Sequence, residues 1–197
     1  MGDFMDFFDL HCDTLTECMD DGDSLLKNKR DIDFERGKIF GRWNQVFAVF
    51  VPDSMDDSLV EGYFDSACNF YFDELKKKGD VFPILSSEDV RGHSRGVMLA
   101  MESSRGVGSL ERLEKLYERG LRLITLTWNH KNRAAGGCDE GGGLTDWGRE
   151  LVSKMEKLGI VTDVSHLSDR SFYDLCEFSD APFIASHSDA RAVHNEV

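Results

Sequence analysis

Six short apolar runs alternate with polar or helix-spaced stretches along this chain, at 7–11, 45–51, 96–101, 121–127, 160–166 and 183–187. That alternation restricts the fold more than any other feature. The run Gln45-Val46-Phe47-Ala48-Val49-Phe50-Val51 is nearly continuous in apolar residues and is closed by Pro52, as expected of a strand buried on both faces. Between the runs, the spacing predicts helices over 57–78, 109–119, 145–157 and 168–178. In the first of these, Leu59, Val60, Tyr63, Phe64, Ala67, Phe70, Tyr71 and Leu75 recur at helical spacing, and Lys76, Lys77, Lys78 and Gly79 close it, cations and glycine being favoured at helix C-termini. Strands alternating with helices predict an α/β fold with a parallel sheet covered by helices, either doubly wound or a (β/α) barrel. No composition break or repeat divides the chain, so residues 1–197 read as one domain. A closed eight-stranded barrel takes about 250 residues. Six runs therefore amount to the first three quarters of a barrel, or to a complete open sheet.

Composition excludes several classes of partner. Lys plus Arg is 23 and Asp plus Glu is 37, a net charge of −14, the wrong sign for binding nucleic acid or an anionic membrane. No apolar run approaches the roughly 18 to 20 residues of a membrane span. The N-terminus, Met1-Gly2-Asp3-Phe4-Met5-Asp6, has acids where a signal peptide has Lys or Arg. Asp6 stands where a myristoylation signal has Ser or Thr. The five cysteines (Cys12, Cys18, Cys68, Cys138 and Cys176) are odd in number and lack C-x-x-C spacing, which predicts packed, reduced thiols rather than disulfides or a thiolate zinc site. A cytoplasmic protein is expected. The stretch 136–143 holds five glycines in eight residues but has neither the G-x-G-x-x-G order after a strand nor a Lys, so a mobile loop is expected there rather than a phosphate cradle.

The chemistry gathers at the ends of the strands. The first run leads into His11-Cys12-Asp13, the third into Glu102, the fifth into His166 and the sixth into His187. In a parallel α/β fold the C-terminal ends of all strands lie on one face, where ligands bind. Three imidazoles and two carboxylates converging there suit Zn²⁺ or a similar divalent ion. His11 and Asp13, two residues apart on extended chain, point the same way. Five ligands exceed what one tetrahedral ion needs. A carboxylate bridging two ions roughly 3.5 to 4 Å apart accommodates them, and Glu102 is the natural bridge. Such a centre hydrolyses amides or esters. Asp9 and Asp163 are candidates for orienting the ligand imidazoles. His130 follows the fourth run and is a candidate for touching substrate, whereas His93 and His194 read as ordinary turn and terminal residues. No H-E-x-x-H, G-x-S-x-G or P-loop occurs.

At these residues the chain resembles the membrane (renal) dipeptidase family, the zinc dipeptidases, including their soluble bacterial members. The matching segments are Asp9-Leu10-His11-Cys12-Asp13-Thr14, Leu99-Ala100-Met101-Glu102, Leu123-Ile124-Thr125-Leu126-Thr127-Trp128-Asn129, Gly143-Leu144-Thr145-Asp146-Trp147-Gly148-Arg149-Glu150-Leu151, Asp163-Val164-Ser165-His166 and Ala181-Pro182-Phe183-Ile184-Ala185-Ser186-His187-Ser188. The resemblance implies a TIM-type (β/α)8 metal-hydrolase barrel, of which about six β-α units are present, and two zinc ions. His11 and Asp13 would bind one ion, His166 and His187 the other, with Glu102 bridging. The implied reaction is hydrolysis of dipeptides by a hydroxide held between the ions. Many family members carry a substrate-binding His where this chain has Trp128, with His130 two residues on, so both are candidate substrate-binding residues. The family's Arg-Asn pair and its catalytic Asp on the last barrel strand fall beyond Val197. The chain is therefore expected to be a piece of a longer barrel, to be completed by a second chain, or to be inactive alone. An open barrel exposes two sheet edges, so a homo-oligomer or a completing partner is expected. The alternatives are a non-catalytic metal-binding module and another metal-dependent hydrolase, such as a lactonase or phosphoesterase.

Overall fold

The computed structural model describes residues 5–77 and 79–194. The expectations resting on Met1 to Phe4, on Lys78 and on residues 195–197 lie outside this range. The elements follow one another as β1 (Asp6–Asp9), α1 (Thr14–Asp21), β2 (Arg42–Phe50), α2 (Asp57–Lys76), β3 (Phe82–Pro83), α3 (Asp89–Gly92), β4 (Arg95–Glu102), α4 (Leu110–Glu118), β5 (Leu121–Thr125), α5 (Asp146–Leu158), β6 (Val161–Asp163), α6 (Asp169–Phe178) and β7 (Phe183–Ile184). Single turns of tighter helix occupy Arg36–Ile39 and Ser104–Val107.

All strand pairs are parallel, in the order β1-β2-β4-β5-β6-β7, with β3 beside the start of β4. This is the wall of a partial (β/α) barrel, six strands in its main path. The two-residue β3 has no run of its own in the sequence. It borders Gly96 and Val97, below the level at which β5 pairs with Leu99–Glu102.

The period of two along each strand separates two cores. Phe47 and Val49 of β2, with Val97, Leu99 and Met101 of β4, face outward and are buried under the helices. Val46, Ala48, Ala100 and Leu123 face the barrel interior with Met98, Val161 and Ile184. The helices supply the outer layer: Leu15 and Cys18 from α1, Phe64, Ala67 and Tyr71 from α2, Leu113 and Leu116 from α4, and Leu151, Val152 and Met155 from α5. Each large side chain so buried contributes about 1.5–3 kcal/mol of transfer free energy.

Helix starts follow capping chemistry. Asp56, Ser109, Thr145 and Ser168 each accept a backbone N–H from the first turn that follows, worth about 1 kcal/mol apiece. Gly159 ends α5 at φ +79°, where a side chain would be strained. The strands are shorter than the apolar runs predicted. β1 stops at Asp9, β5 at Thr125, β6 at Asp163 and β7 at Ile184, because the residues beyond turn inward at the C-terminal mouth instead of continuing the ladder. Helix α1 has no counterpart in the expectations, since it begins directly after the His11-Cys12-Asp13 segment.

Candidate metal centre

The five predicted ligands meet at the C-terminal mouth of the sheet. Glu102, the last residue of β4, is almost fully buried. Its Oε2 lies 3.4 Å from His11 Nε2, which lies 3.4 Å from Asp13 Oδ1. Its Oε1 lies 3.1 Å from His166 Nε2 and 3.5 Å from His187 Nε2. The last two nitrogens are 2.8 Å apart. The rings of His11 and His187 are 3.8 Å apart, centre to centre, so the first and last strand ends do converge. His11, Glu102 and His187 each turn one donor atom to within 4.8 Å of the other two.

Backbone geometry accounts for how these side chains reach one point. Asp13 sits at φ −91°, ψ 0° just ahead of α1, in the sparsely populated bridge region common at functional sites. His166 has φ +66° and is the only non-glycine residue with positive φ among the described residues. This left-handed turn after β6 swings its imidazole back over the strand ends, at a conformational cost of order 1–3 kcal/mol. His11, His166 and His187 thus lie in the loops just past their strands rather than within them, while Glu102 alone ends one.

The electrostatics suit a cation. Burial pushes the Glu102 carboxyl up, but His166, His187 and the charge of His11 more than offset this and hold it at about 2. Burial pushes the His11 imidazole down, yet the hydrogen bond to Asp13 and the charges of Glu102 and Asp13 leave its pKa raised. The site therefore favours positive charge. One buried atom of the cluster, His11 Nδ1, has no hydrogen-bond partner. His166 Nε2 and His187 Nε2, 2.8 Å apart, both reach the same oxygen of Glu102. Imidazole and carboxylate donors of this kind fit divalent transition metals.

Behind the cluster stands a set of hydrogen-bonding groups. His166 Nδ1 is 2.8 Å from Asn129 Oδ1. His187 Nδ1 is 2.7 Å from Ser186 Oγ, which donates to Asp163 Oδ2 at 2.6 Å. Asp163 reaches the His187 ring only through this intervening serine. Asp9 departs from its expectation. Its carboxylate accepts the His11 backbone N–H at 3.4 Å and Gln45 Nε2 at 3.0 Å, so it holds the His11 main chain rather than the imidazole. Asn129 and Ser186 were not singled out from the sequence. Their only signal is position, one residue after Trp128 and one before His187.

The two candidate substrate residues diverge. Trp128 packs edge-on against Phe50, with ring centres 5.0 Å apart, and stands 6.3 Å from the His166 ring. It forms an aromatic wall beside the cluster. His130 turns to Asp53, with Nδ1 2.7 Å from Oδ2, and lines a cleft of about 640 Å³ with Arg105, Asn132, Arg133 and Trp147.

The glycine-rich segment is tied down, contrary to the mobile loop expected. Gly136 N donates to Ser171 Oγ at 2.9 Å, Ser168 Oγ donates to Gly142 O at 2.6 Å, Leu144 N donates to Asp174 Oδ2 at 3.0 Å, and Cys138 N donates to His166 O at 2.9 Å. Its glycines allow close backbone approach, since a Cβ on Gly136 would meet Gly141 O at 2.1 Å. The loop thereby braces the His166 turn. All five thiols are free. Cys18 and Cys68 are buried as expected, whereas Cys138 and Cys176 are exposed.

A parallel partial barrel that gathers imidazoles and carboxylates at the C-terminal ends of its strands belongs to the class of α/β barrels whose site lies at that mouth. Within that class the assignment is specific: the family model of membrane dipeptidases, peptidase family M19, matches residues 3–197, and the chain belongs to this family. A metallo peptidase from Rhodobacter sphaeroides, solved with a phosphinate mimic of the dipeptide L-Ala-D-Ala, superposes with TM-score 0.85 at 23% identity, over 97% of this chain and 67% of that one. The dipeptidase AC, a metallo peptidase of family M19, superposes with TM-score 0.86 at 24% identity, over 96% and 65%. At these identities the likeness shows the fold. Among curated proteins, one in the pqqA 5′ region of Klebsiella pneumoniae is 31% identical over 122 residues, 55% of this chain and 45% of that protein. Another, in the PQQ-III 3′ region of Acinetobacter calcoaceticus, is 29% identical over 116 residues, 54% and 37%. The matches span less than half of these two relatives. No helix among the described residues is long and apolar enough to cross a membrane.

Proposed function

We propose that this chain carries the metal centre of a zinc-dependent dipeptidase with two ions per site. One observation carries the reading: the two oxygens of Glu102 divide the other four side chains, Oε2 facing His11 with its neighbour Asp13, and Oε1 facing His166 and His187. A bridging carboxylate between two pairs of ligands requires that division. His11 and Asp13 would hold one ion and His166 and His187 the other. When bound, such a pair supplies a hydroxide nucleophile at neutral pH and polarises the scissile carbonyl.

The chain's own residues do the rest. Glu102 stays ionised through the working pH range and keeps the two halves of the centre together. Asn129 and Ser186 hold the His166 and His187 rings. Trp128 shields the His166 side from water and offers an apolar face to a dipeptide side chain, while His130, fixed by Asp53, stands at the neighbouring cleft as a polar substrate contact. Family membership and a relative solved with a dipeptide mimic support dipeptides as the substrate.

Residues 1–197 are read as one domain, the N-terminal three quarters of the barrel. Edge strands β1 and β7 then pair with further strands, supplied by a longer chain, a second copy or another protein. The unpaired thiols support a cytoplasmic, reducing setting.

The test is metal analysis together with dipeptide hydrolysis, with and without chelator. Two equivalents of zinc, and activity abolished by chelator, are expected of the chain with its barrel completed. Absence of bound metal refutes the reading. The exposed edges favour a second reading, a metal-binding module inactive until completed, and hydrolysis by the 197-residue chain alone would eliminate it.

A further inference from the structure

We infer that Asp163 and Ser186 form a proton-directing relay that fixes the tautomer of His187, making both of them positioning residues for the metal centre. The inference rests on the metal-centre reading for its purpose, but not for its geometry.

Four donors converge on Asp163, which is fully buried. Oδ1 accepts the backbone N–H of Ser165 at 3.1 Å and of Ser186 at 3.0 Å. Oδ2 accepts Thr125 Oγ1 at 2.7 Å and Ser186 Oγ at 2.6 Å. A carboxylate accepts and does not donate, and a serine hydroxyl has one proton. The Ser186 proton is therefore committed to Asp163. Ser186 Oγ can meet His187 Nδ1, 2.7 Å away, only as an acceptor. The proton of a neutral His187 must then sit on Nδ1, leaving the Nε2 lone pair aimed at Glu102 Oε1 and His166 Nε2. Tautomer and ring orientation are set by a hydrogen bond made on the far side of the ring, the general logic of outer ligand partners.

His187 needs this more than the other ligands. It follows β7, a two-residue edge strand, so the ladder does little to hold it. Its backbone N–H donates to Ser165 Oγ at 3.1 Å, which ties the same residue to the β6 turn a second time. His166 is treated alike by Asn129 Oδ1, which also accepts the Cys138 thiol at 3.6 Å. His11 Nδ1 has no partner. The two halves of the centre are thus built differently, one with both imidazoles fixed and one without.

Substitution separates direction of the proton from simple packing. Ser186→Ala removes the relay. Ser186→Thr keeps the hydroxyl. Asp163→Asn places an amide donor among the hydroxyls, so that Ser186 is driven to donate to His187 and the tautomer inverts. The primary measurement is long-range ¹H–¹⁵N correlation of the imidazoles in metal-free protein at alkaline pH. Expected are a protonated Nδ1 on His187 in the wild type and in Ser186→Thr, a mixture in Ser186→Ala, and a protonated Nε2 in Asp163→Asn. The second measurement is zinc titration against a chromophoric competitor. One of two equivalents should weaken by about 10- to 100-fold in Ser186→Ala and Asp163→Asn, and by no more than a few-fold in Ser186→Thr. The same His187 tautomer in all four proteins overturns the relay, as does equal zinc affinity throughout. Failure of the wild type to bind zinc defeats the metal reading instead, and the tautomer measurement still decides the relay.

Discussion

Replacing Ser171 by Ala tests whether the glycine-rich loop is a built part of the site. Ser171 Oγ is fully buried at the start of α6. It accepts Gly136 N–H at 2.9 Å and lies 3.0 Å from Gly136 O and 3.3 Å from Gly142 O. One hydroxyl thereby clasps both ends of the loop. The substitution removes a single oxygen, so the cavity term is small, and the main loss is a buried N–H left without an acceptor, about 1–3 kcal/mol. Alanine recovers about 0.5 kcal/mol through its higher helix propensity. The expected net destabilisation is about 1.5 kcal/mol, or roughly 3–6 °C in Tm for a domain of this size. Urea titration followed by circular dichroism measures it, and native-state hydrogen exchange at the Gly136 amide localises it, with exchange accelerated by about tenfold for every 1.4 kcal/mol. A change below about 0.5 kcal/mol with Gly136 exchange unaltered would refute the reasoning, because a loop held by this hydroxyl cannot lose it silently. Gly136→Ala should cost more than Ser171→Ala, since its Cβ meets backbone at 2.1 Å.

Phe47→Ala, at a fully buried site with Phe34 edge-on at 6.1 Å, should cost about 3–5 kcal/mol in urea denaturation. A thiol reagent should modify Cys138 and Cys176 in the native protein and Cys18 and Cys68 only after unfolding, as mass spectrometry of the labelled peptides would show. The first two are exposed, and burial both hides Cys68 and pushes its thiol up to about 12. Burial pushes the Asp65 carboxyl up, but Arg112 and Arg119 outweigh it and hold it below its usual value. Its contribution to stability should be complete above the ordinary carboxylate range near pH 4 and fade as pH falls below it. Asp65→Asn should flatten that part of a plot of urea midpoint against pH.

The features legible in the sequence were those carried by local pattern. Runs such as 45–51 and 121–127 gave parallel strands because a strand covered on both faces leaves a continuous apolar signature. His11, Glu102, His166 and His187 stood out because chemistry-bearing residues directly follow such runs, and Asp13 because it lies beside His11. The remainder depended on contacts through space. Helix α1 carries few apolar residues and starts inside the ligand segment, so its period was hidden. Strand β3 is two residues long, too short to leave an apolar run of its own, and pairs with Gly96 and Val97 below the level of β5. The glycine loop read as mobile because its restraints come from Ser168, Ser171 and Asp174, some thirty residues downstream. Asn129 and Ser186 have ordinary side chains whose role appears only when His166 and His187 are in place. Cys138 and Cys176 are exposed although packed thiols were expected, because a lone cysteine carries no period to assign it a face.

The position of each cluster residue in the sheet sets how firmly its backbone is held. Glu102 ends the central strand β4, bonded on both sides, whereas His187 follows the shortest edge strand and His11 the opposite edge. Fraying starts where backbone pairing is thinnest. In this chain, backbone pairing is therefore thinnest beneath His187, fuller beneath His11, and firmest beneath the carboxylate at the middle.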